Sequence, residues 1–148
     1  MRYCDETSTP DFLALAEFRY QIRRFLKMSE DAVGNEGLEP QQYQFMLALK
    51  GQTIRRGTVS IGDLAERLLL KHHSVVGLVD RLESKDMVRR HRDDADQRRV
   101  LVQLTPSGEQ TLSELAALHQ AELHQLAPQL IDALQGVIGS ANSVEVSD

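Results

Sequence analysis

Small and hydrogen-bonding residues follow one face of the segment between residues 71 and 84. They are Lys71, His72, His73, Ser74, Gly77, Arg81 and Ser84. Near the N-terminus of a helix, such side chains offer the donors and acceptors that read base edges in a major groove. Gly77 inside a helix costs about 1 kcal/mol relative to alanine, and close approach of another backbone would offset that cost. The alternative interpretation is a solvated helix face with an incidental glycine.

Two short helices are predicted to position this face. Ser60 is the expected N-cap of the first, and Asp63 completes a short-armed capping box. The apolar residues of this helix recur at helical spacing on one side, and they are Ile61, Leu64, Ala65, Leu68 and Leu69. The second helix, from His72 to about Ser84, turns an apolar stripe inward that consists of Val75, Leu78, Val79 and Leu82. Two helices joined this closely predict a helix-turn-helix.

A hairpin that carries arginines is predicted directly after the helix pair. Residues 87–92 and 99–104 have the composition of strands, and the polar loop DDADQ lies between them. The arginines are Arg89, Arg90, Arg92, Arg98 and Arg99. Arginines placed in this way suit phosphate contact and insertion into a narrow minor groove. Asp96 and Arg98 are two residues apart, so on an extended segment the carboxylate holds the guanidinium in one direction. A salt-bridged turn on a soluble protein is the alternative.

The remaining chain is predicted to be helical. Thr9 and Pro10 start a helix that runs to about Ala32, before the stop signal GNEG. A buried helix runs from Pro40 to Gly51, and residues 58–61 add a small third strand. Thr105 caps a long helix that Pro128 interrupts. Its inward residues are expected to be Leu112, Leu115, Leu118, Leu123 and Leu126. Residues 1–8 are expected to be loose and residues 139–148 to form a disordered tail. The predicted fold class is mainly α with a small β-hairpin wing (α+β).

Composition limits the classes of protein that need to be considered. The chain has 148 residues, 41% of them hydrophobic, which supports one domain with a modest core. No apolar run has the length of a membrane span, and the N-terminus lacks the apolar segment of a signal peptide, so a cytoplasmic location is expected. The net charge is −5, but residues 71–99 hold eight basic and six acidic side chains, a local charge of +2. The positive field at this segment would orient the protein on a polyanion.

These motifs resemble those of the multiple-antibiotic-resistance regulator (MarR) family of winged helix-turn-helix repressors. The matching stretches are LEPQQYQFMLALKG, SIGDLAERL, HHSVVGLVDRLESK, the D-x-R element at residues 96–98 and VLVQLTPSGE, and the likeness spans roughly residues 10–138. The chain departs from the family pattern at Gly77, where many members carry arginine, and at Gln97, where many carry a basic residue. The resemblance implies a homodimeric transcriptional repressor on a palindromic DNA operator, with Arg98 in the minor groove.

The resemblance also assigns roles within a single domain, residues 1–148. Residues 9–33 and 105–138 are the expected dimerisation helices, and residues 40–104 the winged helix-turn-helix, with the reading helix at 72–85 and the wing at 87–104. The expected DNA contacts are Lys71, His72, His73, Ser74, Gly77, Arg81, Arg90, Arg92, Asp96, Arg98 and Arg99. A small aromatic or phenolic effector is implied near Arg19, Tyr20, Tyr43 and His119, each of which is otherwise a packing or surface residue.

Other functions are weighed against this interpretation. In a redox-responsive regulator of the same fold, a cysteine at the start of the first long helix would be oxidised, but Cys4 lies before that helix. Because Cys4 is the single cysteine, an internal disulfide is excluded. No metal site is expected, because His119 and His124 are five residues apart and do not share a helix face well. A winged module that contacts only proteins would have a neutral or acidic wing. No phosphate-binding glycine loop or nucleophile elbow appears, so neither an enzyme nor a cofactor is expected.

Overall fold

The computed structural model describes residues 9–34 and 37–142, with side chains up to residue 139. In this part of the chain the elements are α1 (Phe12–Gly34), α2 (Pro40–Arg56), α3 (Ile61–Leu68), α4 (His72–Ser84), β1 (Val88–Arg92), β2 (Val100–Leu104) and α5 (Pro106–Asn142). The predicted fold class, mainly helical with a β-hairpin, is confirmed. The described residues fall into two compact units. We call the unit within residues 30–119 the winged unit, and the unit of residues up to 29 and from 120 onward the terminal-helix unit.

A single apolar core fills the winged unit. Its members are Val33, Leu38, Tyr43, Phe45, Met46, Leu49, Val59, Ile61, Leu64, Val75, Leu78, Val79, Leu82, Val88, Val102, Leu112 and Leu115. The inward stripe predicted for the second short helix is buried as expected. The capping box of α3 is also present, since the Ser60 hydroxyl accepts a hydrogen bond from the Asp63 N–H at 3.0 Å and the Asp63 carboxylate accepts one from the Ser60 N–H at 2.9 Å. The helix-turn-helix is therefore confirmed.

One residue of the predicted apolar stripe of α3 is not inward. Leu69 ends this helix in the left-handed conformation, with φ 56° and ψ 39°, and its side chain is 91% exposed. The chain must reverse within a few residues to start α4 at His72, and a left-handed residue at a helix end makes that reversal. The turn therefore overrides the helical spacing that predicted burial of Leu69.

The hairpin follows the predicted order with small differences. Strands β1 and β2 pair in antiparallel fashion, with Val88 opposite Leu104 and Arg92 opposite Val100. The predicted third strand is reduced to a single bridge between Ser60 and Leu101, beside a hydrogen bond from the Val102 N–H to the Val59 carbonyl at 2.9 Å. The adjoining helix α3 starts at once, so no further pairing forms.

Two helices differ from their predicted bounds because side chains or packing override local signals. Helix α1 starts at Phe12 rather than at Pro10, since the Asp11 carboxylate accepts a hydrogen bond from the Ala14 N–H at 3.0 Å. Helix α2 does not end at Gly51 but continues to Arg56, where Gly57 with φ 86° closes it. A glycine inside a helix costs about 1 kcal/mol, which the packing of α2 in the core of the winged unit outweighs.

The prediction for the last helix was wrong in three respects. Pro128 lies inside α5 without ending it, and the helix runs to Asn142, so residues 139–142 are not a disordered tail. Proline removes one backbone hydrogen bond, and the turns on either side keep their own. Leu112, Leu115 and Leu126 are buried as predicted, whereas Leu118 and Leu123 are exposed. The predictions for residues 1–8, including Cys4, and for 143–148 lie outside the described residues.

The terminal-helix unit consists of parts of α1 and α5. Gln21, Leu126 and Ala133 are buried in it. A mainly apolar groove of about 410 Å³ is lined by Asp11, Leu13, Ala14, Glu17, Gln21, Gln129, Asp132, Ala133 and Gly136. Large apolar side chains of the unit remain exposed, among them Phe12, Leu13, Leu15, Ile131, Leu134 and Ile138. No helix in the described ranges is long and apolar enough to cross a membrane.

Candidate nucleic-acid interface

The outer face of α4 is open at its N-terminal end. Lys71, the N-cap residue, makes no side-chain cap hydrogen bond, so N–H groups of the first turn stay available to an outside acceptor. Lys71, His72 and His73 are exposed and Ser74 is half-buried, while the opposite face packs into the core. Arg81, two turns further along, is exposed as well. The structure thus brings together on one helix the residues that the sequence predicted to read a groove.

Gly77 lies in the middle of this face. A Cβ added there would have only the far end of the Arg81 side chain within 4 Å, at 3.9 Å. The backbone is helical and the space is open, so the folded chain itself does not require a glycine at this position. A glycine that destabilises its own helix without packing a neighbour is consistent with the predicted approach of another backbone.

The turn between β1 and β2 presents Arg98 to solvent. Its side chain is 93% exposed, and the Asp96 carboxylate accepts hydrogen bonds from the Arg98 N–H at 3.1 Å and from the guanidinium Nε at 3.3 Å. The predicted carboxylate–guanidinium pair is therefore present. However, it lies in a turn rather than on an extended strand, since β2 begins only at Val100. Two residues of separation fit such a turn, in which an aspartate side chain bonds the backbone two positions later.

Three other predicted DNA contacts, of which Arg92 and Arg99 are exposed, are held by hydrogen bonds to groups of the winged unit itself. Arg90 donates to Asp80 and, at 2.5 Å, to Glu83, which ties β1 to α4. Its pKa is raised, first by the hydrogen bond to Asp80 and then by that to Glu83. Arg92 donates to the Gln97 carbonyl at 2.7 Å.

Arg99 is the third of these internally held arginines. It pairs with Asp63 at 3.3 Å and with Asp93 at 3.5 Å. Sequence reasoning recognised Asp63 only as a capping residue and missed its partners Arg99 and Arg56, the latter at 3.1 Å. Asp63 and Arg99 are 36 positions apart, and no local pattern marks such a pair.

The residues predicted to surround an effector fall into both units. Arg19 and Tyr20 are exposed on α1 in the terminal-helix unit, where the Arg24 guanidinium lies 5.8 Å from the centroid of the Tyr20 ring. Tyr43 and His119 are buried together in the winged unit, with ring centroids 4.5 Å apart and an angle of 82° between the rings. Burial raises the pKa of the Tyr43 hydroxyl. The His119 Nε2 is buried and has no hydrogen-bond partner among the residues that the structure describes. Of the four, only Tyr43 and His119 are brought into contact.

Among the described residues, no group of three or more His, Cys, Asp or Glu side chains is arranged to hold a metal ion. The polar residues at the N-terminal end of α4 instead form an open surface of hydrogen-bonding and basic groups. With the exposed Arg98 in the same unit, the chemistry that this surface offers is contact with an extended polyanion.

Comparison with known proteins identifies relatives of this chain. The model of the MarR family matches residues 36–99. The transcriptional activatory protein BadR of Rhodopseudomonas palustris is 37% identical over 98 residues, which are 66% of this chain and 55% of that protein. This chain thus spans about half the length of the curated relatives it matches.

Solved structures have the same fold. AbsC, a MarR family transcriptional regulator from Streptomyces coelicolor, superposes with a TM-score of 0.70 at 21% identity, covering 89% of this chain and 84% of its own. A mutant of Escherichia coli MarR in complex with operator DNA gives a TM-score of 0.69 at 19% identity, covering 90% and 94%. At these identities the likeness establishes the winged helix-turn-helix fold.

Proposed function

The chain belongs to the MarR family, and from this we propose that it is a sequence-specific, double-stranded DNA-binding transcriptional regulator. The observation that carries the proposal is the open N-terminal face of α4, which presents Lys71, His72 and His73 in the same compact unit as the exposed Arg98. A helix of this width fits a major groove, and an arginine on a protruding turn fits a minor groove. A cytoplasmic location follows from this function.

Each part of the surface has a distinct task in the proposed complex. His73 and Ser74 would contact base edges, and Gly77 would allow the helix to approach the duplex closely. Lys71 and Arg81 would contact phosphates at either end of the helix, and these contacts would set the register without reading sequence. Asp96 would orient Arg98 through the hydrogen bond at 3.3 Å. The roles of Arg90, Arg92 and Arg99 would be chiefly internal, since their guanidinium groups already have partners.

We propose further that the protein works as a homodimer on a palindromic site, with residues 9–33 and 105–138 as the dimerisation helices. The exposed apolar side chains of the terminal-helix unit support this, because patches of this kind mark interaction surfaces. Two reading helices related by a two-fold axis would then match half-sites one helical turn apart. Light scattering on the purified protein tests this state, and a single-chain mass at working concentration would exclude the dimer.

A small aromatic or phenolic effector that releases the protein from DNA is the proposed signal. The edge-to-face pair of Tyr43 and His119 supports this, because the unpartnered His119 Nε2 could hydrogen-bond a polar ligand. Phenol is a simple probe for such a site. We expect it to weaken DNA binding by the wild type and not by His119→Leu; equal weakening of both proteins would exclude this site. Repression is the expected outcome on transcription.

Selection of bound fragments from a random duplex library tests the function itself. The expected result is an enriched palindromic sequence that wild-type protein binds at least about a thousand-fold more tightly than unrelated DNA. Arg98→Ala should lower the slope of log K against log salt by about one. Arg55→Ala, which removes an exposed arginine on α2 outside the proposed DNA contacts and dimerisation helices, is the matched control and should leave the slope unchanged. Recovery of no preferred sequence would overturn the proposal.

A further inference from the structure

The carboxylate of Asp63 joins three parts of the winged unit. Its Oδ2 accepts hydrogen bonds from the Ser60 N–H at 2.9 Å and from Arg99 Nη2 at 3.3 Å, and its Oδ1 accepts one from Arg56 Nη1 at 3.1 Å. Arg56 is the last residue of α2, Ser60 caps α3, and Arg99 ends the turn of the wing. One side chain, only 19% exposed, therefore links α2, α3 and the wing.

The two guanidinium groups need the charge of this carboxylate, whereas the cap does not. A neutral amide oxygen can still accept the hydrogen bond from the Ser60 N–H, although more weakly than a carboxylate does. Burial alone would raise the pKa of Asp63, but the hydrogen bonds from Ser60 and the positive charges of Arg56 and Arg99 outweigh it, and the pKa is lowered. The carboxylate is thus ionised at neutral pH.

Arg99 carries this link into the turn that holds Arg98. Its second guanidinium nitrogen pairs with Asp93 at 3.5 Å, and its carbonyl accepts a hydrogen bond from the Asp93 N–H at 3.0 Å. Both ends of the turn between β1 and β2 are therefore tied to α3 through Arg99. The same turn also holds Arg98 in place. The Arg99 N–H donates to the Asp96 carbonyl at 2.9 Å, and the Asp96 carboxylate accepts a hydrogen bond from the Arg98 guanidinium.

We propose that Asp63 is a positioning residue for DNA binding: with Arg99 it fixes the wing turn against α3, so that Arg98 is already oriented when the duplex arrives. The inference rests on the proposed function and deepens it. Arg99 then acts mainly through Asp63 rather than as a phosphate contact. Ordering the turn in the free protein lowers the conformational entropy that DNA binding would otherwise have to remove.

The sign of the effect separates this role from simple electrostatics. Asp63→Asn removes a negative charge from a protein that binds a polyanion, and by electrostatics alone affinity should rise. The positioning role predicts the opposite, a loss of roughly three- to thirty-fold, as expected for two partly exposed ion pairs. Glu66→Gln is the matched control, because it removes an exposed carboxylate from the same helix. That variant should bind the selected duplex as tightly as wild type or slightly more tightly.

A double-mutant cycle tests the link to Arg99. If the two side chains act as one unit, the double variant Asp63→Asn, Arg99→Ala should bind the selected duplex no more weakly than whichever single variant has the lower DNA affinity. Arg99→Lys keeps a cation within reach of Asp63, so this variant should retain most of the DNA affinity that Arg99→Ala loses. The salt slope of Asp63→Asn should equal that of wild type, since no phosphate contact is lost. Tighter binding by Asp63→Asn, or losses that multiply in the double variant, would overturn the proposal.

A measurement without DNA keeps this test separate from the proposed function. Amide hydrogen exchange of the Asp93 N–H, which is bonded to the Arg99 carbonyl, should be faster in Asp63→Asn and in Arg99→Ala than in wild type. The Arg99 variant leaves the cap of α3 intact, so it reports on the wing even if the Asp63 variant unfolds. Unchanged exchange in both variants would contradict the positioning role. Failure of wild-type protein to prefer any duplex would instead contradict the proposed function.

Discussion

Replacing Gly77 with alanine should stabilise the protein and weaken its binding to DNA. In the free protein the added methyl group meets only the end of the Arg81 side chain, at 3.9 Å, so no backbone or core atom has to move. Glycine inside a helix is less stable than alanine by about 0.5–1 kcal/mol. The free energy of unfolding should rise by that amount, which corresponds to about 1–4 °C in Tm for a chain of this length.

The same methyl group should clash in the complex if α4 approaches the duplex as proposed. Overpacking of a well-packed contact costs about 1–3 kcal/mol, which corresponds to roughly 5- to 150-fold weaker binding. The assays are thermal denaturation and a fluorescence anisotropy titration of the selected duplex. Gly51→Ala is the matched control, because Gly51 also lies inside a helix with nothing within 4 Å of an added Cβ. It should be stabilised equally and bind DNA as wild type does.

Two results would refute this reasoning. If Gly77→Ala were less stable than wild type, the open space around the glycine would not exist in solution. If it were more stable but bound the duplex with unchanged affinity, the middle of α4 would not lie close to DNA. Equal weakening by Gly51→Ala would also count against the reasoning, because the effect would then not be specific to the reading helix.

Three further predictions concern stability. Gly108→Ala should destabilise the fold by at least about 2 kcal/mol, because its Cβ would lie 2.0 Å from the Met87 carbonyl oxygen. If urea denaturation gave the variant the same free energy of unfolding as wild type, the close approach of Met87 to Gly108 would be contradicted. Leu69→Gly should raise the free energy of unfolding by about 1 kcal/mol, because it relieves a leucine in the left-handed conformation whose side chain is 91% exposed. A lower Tm for this variant would show that the side chain contributes to the stability of the fold. The pKa of Asp63 lies below its ordinary value of 3.8, so its stabilisation is complete above that value and is lost as pH falls through the lower folded pKa. The difference in unfolding free energy between wild type and Asp63→Asn should therefore shrink below pH 4, and a difference independent of pH would contradict the ion pairs.

Much of the winged unit could be predicted because its signals are local. The apolar spacing of α4 and the capping box at Ser60 are read within one or two helical turns, and both are present in the structure. The pair of Asp96 and Arg98 is equally local, and only its backbone setting, a turn rather than a strand, differed. Interactions that lie within a few residues of one another carry their own pattern in the sequence.

The rest depended on tertiary packing that no short window records. Gly51 and Pro128 are breaker residues, yet both lie inside helices that continue past them. The ion pairs of Arg90 with Asp80 and Glu83 and of Arg99 with Asp63 join residues 7 to 36 positions apart, and they exist only because the hairpin packs against α3 and α4. Charge content placed these arginines in the candidate interface. It could not separate Arg98, whose side chain is 93% exposed, from Arg90 and Arg99, whose guanidinium groups pair with carboxylates of α3 and α4.

Directed cleavage of the selected duplex would test most directly whether α4 lies in the groove. In a Cys4→Ser background, which removes the single native cysteine, an iron chelate attached through His72→Cys would report the DNA within its reach. If α4 lies in the groove, the expected result is two clusters of strand cleavage about 10 base pairs apart, one from each reading helix. The same reagent attached through Glu114→Cys on α5 should give none. Cleavage no stronger from position 72 than from position 114 would contradict the account.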